Sequence, residues 1–255
     1  MRIEGCTALI TGAASGLGAA TARMFVEGGG IVAIADLADS DGERLAKELG
    51  SSARFFVLDV TAAESVERTV SDVTGWLRRL DVTVNCAGIA RRARIVNRKG
   101  VPQPLEDFRR IVDVNLVGTW DVSRWSAYHM IGNEPLADGE RGVILTVASI
   151  AAFTGGAGQT SYAASKAGVA GMTLPMARDL AHWGIRVVGI APGAFDTPIL
   201  GSVRPEQAAR VVGQPLFPRR LGHPSEFAHV VRAVVENPAL NAEVIPLHTA
   251  LEQDD

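Results

Sequence analysis

Residues 7–18 read TALITGAASGLG, and this stretch decides the fold. A short apolar run suited to a buried strand leads into a turn that contains Gly12, Gly16 and Gly18, and a helix-like segment follows. Glycines permit a tight turn and a close approach of the backbone to a ligand, and the start of a helix offers free N–H groups. We therefore predict that this turn binds a pyrophosphate, with a plain strand–helix turn as the alternative.

Six further apolar runs follow along the chain, and each is short, continuous and rich in Val and Ile. They are IVAIA (31–35), FFVL (55–58), VTVN (82–85), GVILTVA (142–148), IRVVGIA (185–191) and EVIPL (243–247). Helix-like segments alternate with them at 18–27, 40–49, 62–77, 105–129, 161–181 and 225–236. This alternation predicts an α/β fold, a Rossmann-type doubly wound seven-stranded parallel sheet with helices on both faces.

We predict one domain over residues 1–255, with a cofactor-binding part at about 1–140 and a catalytic and substrate part at about 141–255. Three stretches interrupt the regular plan. Residues 90–104 are expected to form a basic loop, and residues 132–141 a polar surface turn. Residues 193–224, with a short helical run near 205–212, follow the sixth strand at the sheet edge where open α/β proteins bind ligands.

Composition excludes several classes of protein. The net charge of −3 gives no reason to expect nucleic acid or an anionic membrane as a partner. No apolar run approaches the roughly 20 residues that span a bilayer, and the first residues lack the features of a signal peptide. A cytoplasmic protein is therefore expected. Cys6 and Cys86 should lie at opposite ends of their strands, which is too far apart for a disulfide.

An acidic residue ends the second predicted strand. Asp36 lies 18 residues beyond Gly18, where a carboxylate can accept hydrogen bonds from the ribose hydroxyls of NAD and repel the 2′-phosphate of NADP. Ser15 and Leu37, where a basic residue could bind that phosphate, are uncharged. The alternative is an Asp that caps the next turn. Asp59 and Val60 follow the third strand and could contact adenine, or Asp59 could cap a helix.

The strongest chemical signal is the pair Tyr162 and Lys166. Residues i and i+4 share one helix face, so the phenol and the ammonium project together. A nearby ammonium and a positive nicotinamide ring would bring the pKa of the phenol toward the working range of a general base. Ser149 ends the fifth predicted strand, 13 residues before Tyr162. Its hydroxyl can there donate a hydrogen bond to a substrate oxygen; the alternative is that Ser149 is only a turn residue.

Taken together, these residues resemble a short-chain dehydrogenase/reductase over essentially the whole chain. The glycine turn with the spacing TGxxxGxG, Asp36, NCAG (85–88), DVNLVGT (113–119), Ser149, Tyr162, Lys166 and APGAFDTP (191–198) occur in the order of that family. The resemblance implies that Asn115 interrupts its helix and holds a water of the proton relay; the alternative is a residue that bonds the local backbone. It also implies cofactor contacts at the nicotinamide end from Pro192, Gly193, Phe195 and Thr197.

A narrower resemblance is to the type-2 3-hydroxyacyl-CoA dehydrogenases, the group that includes 17β-hydroxysteroid dehydrogenase type 10. It rests on residues 146–200, on Cys86, on the insertion GNEP (132–135) and on the ending at 217–247. It implies that Ser15, Leu17, Cys86, Ala87 and Gly88 contact NAD and that Gln159 touches substrate. The tail departs from the family, because residues 247–250 read LHTA in place of Leu-Asp-Gly-Gly. A homotetramer or homodimer is still expected.

We therefore expect an NAD-dependent oxidoreductase that interconverts a secondary alcohol and a ketone, with Ser149, Tyr162, Lys166 and Asn115 as catalytic residues and no metal. A 3-hydroxyacyl-CoA of fatty acid metabolism is the first substrate class. A hydroxysteroid or other bulky hydrophobic alcohol is the second, a sugar or polyol the third, and an NAD-binding scaffold the non-enzyme alternative. The loop cations Arg91, Arg92, Arg94, Arg98 and Lys99 are expected either to bind the phosphates of coenzyme A or to remain solvated.

Overall fold

One parallel sheet organises the protein. The structure, a computed structural model, describes residues 1–136, 138–201 and 217–248. Within these ranges seven strands form a sheet in the order β3-β2-β1-β4-β5-β6-β7. They are β1 (Thr7–Thr11), β2 (Ile31–Asp36), β3 (Ala53–Val57), β4 (Val82–Asn85), β5 (Gly142–Val147), β6 (Ile185–Pro192) and β7 (Val244–Leu247). The predicted doubly wound α/β fold is confirmed.

Helices cover both faces of this sheet. They are α1 (Gly16–Glu27), α2 (Gly42–Leu49), α3 (Ala63–Leu77), α4 (Leu105–Val112), α5 (Gly118–Ile131), α6 (Ala151–Thr154), α7 (Thr160–Leu180), α8 (Pro198–Gly201) and α9 (Pro224–Glu236). None of them, within the described part of the chain, is long and apolar enough to cross a membrane.

Alternate strand residues supply two separate cores. Ile10 and Ile34 pack with Phe25 of α1 and Phe227 of α9 on one face. Leu9 of β1 and Ile144 of β5 pack with residues of α3, α5 and α7 on the other face. Because successive side chains of a strand point to opposite faces, both must be apolar, and this explains the continuous Val- and Ile-rich runs.

Strand β3 departs from the prediction of full burial. It spans Ala53–Val57 rather than 55–58, and Val57 is 54% exposed. Its position at the edge of the sheet leaves it with one neighbouring strand, so only part of its surface is covered.

The predicted long helix over 105–129 is divided into α4 and α5. A π-helical turn, Asp113–Val117, separates them and contains the buried Asn115. An extra residue in a helical turn redirects the side chains around it, and such turns are frequent at functional sites. This turn brings Asn115 toward the end of β4.

Residues 132–141 were expected to be a polar surface turn, and this is wrong at two positions. Asn133 and Glu140 are buried. Glu140 forms an ion pair with the equally buried Arg186 at 2.7 Å, and Asn133 donates to the carbonyl oxygens of Leu80 and Arg141. A short polar segment is therefore folded into the protein because its polar groups find partners there. The helical run expected near 205–212, and residues 249–250 of the tail, lie outside the described residues.

Candidate active site

A cleft of about 1140 Å³ opens at the carboxyl ends of the strands. Apart from the loop cations, the residues predicted to bind cofactor or substrate all line it: Gly12, Ser15, Gly16, Leu17, Gly18, Asp36, Leu37, Asp59, Val60, Cys86, Ala87, Gly88, Ser149, Gln159, Tyr162, Lys166, Pro192, Gly193, Phe195 and Thr197. Residues far apart in sequence meet here because every parallel strand ends at the same edge of the sheet. Asn115 lies behind the cleft wall, fully buried.

The glycine turn after β1 requires its glycines. Gly12 has φ +61°, and a Cβ there would lie 2.7 Å from the backbone nitrogen of Ala87. A Cβ on Gly18 would lie 2.4 Å from the carbonyl oxygen of Gly12. Ser15 makes no side-chain cap to α1, so the first N–H groups of this helix remain available to a ligand. This narrow, donor-rich cradle fits the pyrophosphate of a dinucleotide.

Two carboxylates lie on the wall beyond this turn. Asp36 accepts hydrogen bonds from the backbone N–H groups of Ala14, at 2.9 Å, and of Leu37, at 2.8 Å. Its carboxylate is therefore held between the end of β2 and the glycine turn. Asp59 accepts from both the N–H and the hydroxyl of Thr61. It therefore closes a turn before α3, whose N-cap is Ala62, and does not cap this helix as in the alternative given above. Asp59 nevertheless lines the cleft.

Ser149 and Tyr162 meet on the opposite wall. Ser149 follows β5, and its hydroxyl accepts a hydrogen bond from the N–H of Ala151 at 3.1 Å. Tyr162 stands in the first turn of α7. Burial raises the pKa of Tyr162, and the hydroxyl of Ser149, acting as a hydrogen-bond partner, offsets part of this rise. In the protein alone the effect of burial on this pKa is therefore the larger one, and the expected lowering also requires the positive nicotinamide ring.

Lys166 lies one helical turn further along α7 and is buried. Its Nζ lies 5.9 Å from the centroid of the Tyr162 ring. Burial lowers the pKa of Lys166 to about 8, because an ammonium loses its hydration inside the protein. Lys166 therefore loses its proton at a lower pH than an exposed lysine does.

Both the oxygen and the nitrogen of the Asn115 side-chain amide form hydrogen bonds within the protein. Its Oδ1 accepts from the N–H of Ile89 at 2.8 Å, and its Nδ2 donates to the carbonyl oxygen of Ile89 and to Ser165, each at 3.0 Å. The partners lie on the loop after β4 and on α7, so the bonds are not the local ones given as the alternative. A water of the relay would therefore meet the backbone of Asn115 rather than its amide.

The far end of the cleft is formed by the residues after β6 and before α7. The N–H of Gly193 donates to the carbonyl oxygen of Leu247, which fixes the segment against β7. Phe195 is buried against Gly222, where a Cβ would lie 2.7 Å from the ring. Gln159 accepts a 2.8 Å bond from the N–H of Gly156 through its side-chain oxygen. Its amide nitrogen is then the part of this side chain available to a substrate.

Cys86 lines the same cleft but is not a candidate nucleophile. Burial raises the pKa of its thiol to about 12, so the thiol is protonated near neutral pH. Cys6 is buried away from it, and both are free thiols.

One wall of the cleft was not predicted. Glu106, Arg109, Arg110 and Asp113 of α4 and the turn after it line the cleft. They recur at intervals of three and four residues and so share one helix face. This polar spacing was visible in the sequence, but it is equally typical of a solvated face. Of the five loop cations, Arg91, Arg92 and Arg94 line the cleft, whereas Arg98 and Lys99 are absent from its described lining.

Comparison with known proteins agrees with this geometry. Residues 6–208 match the family model described as short chain dehydrogenase, and the chain belongs to this family. It is an oxidoreductase that acts on CH–OH groups and uses a nicotinamide cofactor, so the scaffold alternative is set aside.

Its relatives fall into a narrower group. The chain is 50% identical to the human 3-hydroxyacyl-CoA dehydrogenase type-2 over 98% of this chain and 96% of that protein. It is 49% identical to the protein of the same name from Drosophila melanogaster, over 98% of each chain. The crystal structure of 3-hydroxyacyl-CoA dehydrogenase type-2 from Mycobacterium avium is 42% identical, with a TM-score of 0.91 over 98% of this chain and 97% of that one.

Proposed function

We propose that the protein is an NAD-dependent 3-hydroxyacyl-CoA dehydrogenase that interconverts a 3-hydroxyacyl-CoA and a 3-oxoacyl-CoA. The observation that carries this proposal is the meeting of Ser149, Tyr162 and Lys166 on one wall of a cleft whose other end is a dinucleotide cradle. The names of the relatives at about half identity support the acyl-CoA substrate.

In this proposal the side chains divide the work on the reacting oxygen. Tyr162 takes the proton from the substrate hydroxyl, or returns it to the carbonyl oxygen. Ser149 donates a hydrogen bond that positions this oxygen and stabilises its developing charge. Lys166 binds the nicotinamide ribose and supplies positive charge near the phenol, and Asn115 supports the path by which the proton reaches solvent. A nicotinamide cofactor, when bound in the cradle, would supply the hydride chemistry.

The cofactor in this proposal is NAD rather than NADP. Support comes from Asp36, whose carboxylate is fixed beside the glycine turn by two backbone N–H groups. It presents negative charge where NADP carries its extra phosphate, and like charges held together cost several kcal/mol.

The test is a substrate panel with purified protein. Acetoacetyl-CoA with NADH, a 17β-hydroxysteroid with NAD and a polyol with NAD are compared by kcat/KM, with the Tyr162→Phe variant as the control for contaminating activity. We expect acetoacetyl-CoA to be reduced with the highest kcat/KM. Good turnover of the steroid without turnover of the thioester would reassign the enzyme to bulky hydrophobic alcohols.

We further propose a cytoplasmic homotetramer or homodimer that acts in fatty acid metabolism. Support for a subunit contact comes from α5, where the large apolar side chain of Trp120 is 50% exposed beside Val117, 49% exposed. Sedimentation equilibrium gives the subunit number, and a monomer at micromolar concentration would contradict the proposal.

A further inference from the structure

Four arginines form a second feature of the cleft, at its entrance. Arg92 and Arg94 lie on the loop after β4, and Arg109 and Arg110 lie on α4. All four are exposed and line the cleft from two different segments of the chain. Positive charge is therefore concentrated at this entrance although the whole protein has a net charge of −3.

The four arginines have no ionic partners among the described residues. Arg91 differs from them, because it forms an ion pair with Asp107 of α4. Glu106 and Asp113 share the cleft-facing side of α4 and its following turn, yet in the described structure neither forms an ion pair with Arg109 or Arg110. Unpaired guanidinium groups on one entrance create a field that attracts anions.

Backbone contacts hold the loop arginines beside the substrate end of the cleft. Ala93, which separates Arg92 and Arg94, donates a 2.9 Å hydrogen bond to the carbonyl oxygen of Gly158. Gly158 immediately precedes Gln159, at the start of α7. The Arg91–Asp107 ion pair joins the same loop to α4, and the N–H of Gln103 bonds to the carbonyl oxygen of Ile95. The loop is thus bonded to the segment before α7 on one side of the entrance and to α4 on the other.

Arg98 and Lys99 belong to a different part of this loop. They lie in a turn closed by hydrogen bonds from Gly100 and Lys99 to Asn97, beyond the bridge between Val96 and Pro102. This turn is not among the described lining of the cleft. The five loop cations therefore do not act together. The arginines at the entrance come from the loop and from α4.

We infer that Arg92, Arg94, Arg109 and Arg110 form an anion subsite that binds the phosphate groups of a coenzyme A thioester. The inference rests on the proposed function, because it supposes that the thioester reaches Tyr162. Guanidinium groups bind phosphate oxygens with two parallel hydrogen bonds and tolerate partial loss of water. Coenzyme A carries its phosphates far from the reacting carbon, so binding them there can position the acyl group without touching it. Steroids and polyols have no group for this subsite.

The experiment compares acetoacetyl-CoA with acetoacetyl-pantetheine, which has the same thioester and no phosphate. The measured quantity is the ratio of kcat/KM for the two esters. Two double variants remove subsite charge, Arg92→Gln with Arg94→Gln and Arg109→Gln with Arg110→Gln. The matched control, Arg98→Gln with Lys99→Gln, removes the same charge from the turn outside the lining.

We expect the native protein to prefer the coenzyme A ester and each subsite variant to lose about tenfold or more of this preference, the range for hydrogen bonds to charged groups. The control should lose less than about twofold, because a distant exposed charge is largely screened. The preference should also fall as salt rises. An equal loss in the control, or no preference in the native protein, overturns the subsite.

Two further measurements separate this inference from the proposed function. Reduction of both esters at equal kcat/KM would overturn the subsite while the dehydrogenase remains. If neither ester reacts, calorimetric titration with coenzyme A still decides the subsite: tighter binding to native protein than to the subsite variants supports it, and equal binding overturns it. A clearly higher kcat/KM for the same acyl group on an acyl carrier protein would assign the arginines to an acidic protein surface instead.

Discussion

The ammonium nitrogen of Lys166 lies 2.6 Å from the carbonyl oxygen of Val147 and donates a hydrogen bond to it. Val147 is the last residue of β5, so the sheet itself holds this lysine at the bottom of the cleft. The bond compensates the charged group for part of the water that it loses on burial. Its remaining N–H groups are then available to a ligand.

The buried lysine makes stability depend on pH. Its pKa falls from 10.5 in the unfolded chain to about 8 in the folded protein. Between these values the unfolded chain binds more protons, so the free energy of unfolding should rise with pH from 8 to 10.5. In urea denaturation at pH 7.5 and pH 10, native protein should gain more than about 1 kcal/mol relative to Lys166→Met, since one pKa unit corresponds to about 1.4 kcal/mol. Parallel pH profiles would contradict the shift.

Replacing Tyr162 with Phe should remove turnover and keep cofactor binding. The ring retains its shape, and only the hydroxyl that transfers the proton is lost. We expect kcat to fall by about 10²–10⁴, the range for general acid–base catalysis, while fluorescence titration gives an NADH affinity close to that of the native protein. Tyr128→Phe is the matched control, because Tyr128 is the only other tyrosine and is 65% exposed. Retention of more than a tenth of the activity would mean that another group moves the proton.

The charge of Asp36 should set the choice of cofactor. Native protein is expected to have a kcat/KM with NADH at least about 100-fold above that with NADPH, given several kcal/mol of like-charge repulsion. Asp36→Asn removes the charge and should narrow the gap by about tenfold or more. Asp39→Asn, outside the cleft lining, serves as the control. Equal efficiency of the two cofactors with native protein would refute the assignment.

Asn115 is expected to support both the fold and the reaction. Asn115→Ala leaves the N–H and carbonyl oxygen of Ile89 without their partners. This should lower the free energy of unfolding by roughly 1–3 kcal/mol and lower kcat as well. Urea denaturation and steady-state kinetics on one preparation give both quantities. Unchanged stability with reduced kcat would mean that the amide has no role in holding the turn.

A buried hydroxyl in β4 should cost stability. Thr83 is fully buried, and its hydroxyl has no hydrogen-bond partner among the described residues. Thr83→Val keeps the shape and removes the polar atom, so the free energy of unfolding should rise by about 1 kcal/mol. Thr69→Val is the control with the opposite expected sign, because the Thr69 hydroxyl donates to the carbonyl oxygen of Val57 at 3.0 Å. In this variant the free energy of unfolding should fall by about 1 kcal/mol. Destabilisation by Thr83→Val would indicate an internal water at this site.

The sequence alone determined the features that depend on a few consecutive residues. The glycine turn could be placed because its backbone conformation and close contacts admit only glycine, as at Gly12. Tyr162 and Lys166 could be paired because one helical turn separates them, and Ser149 could be joined to them because parallel strands end at one edge. Continuous Val- and Ile-rich runs likewise predicted strands that are covered on both faces.

Only the tertiary structure decided which distant segments face each other. No local spacing links Arg94 to Arg109 or separates Arg98 from both, because the path of the loop depends on its bonds to Gly158 and Asp107. In the same way, the sequence predicted that Glu140 lies on the surface, whereas in the fold it is buried and paired with Arg186. The physical reason is that the sequence around a charged residue looks the same whether its side chain is solvated or forms an ion pair. Which of the two occurs depends on the distant elements that the order of the strands brings next to it.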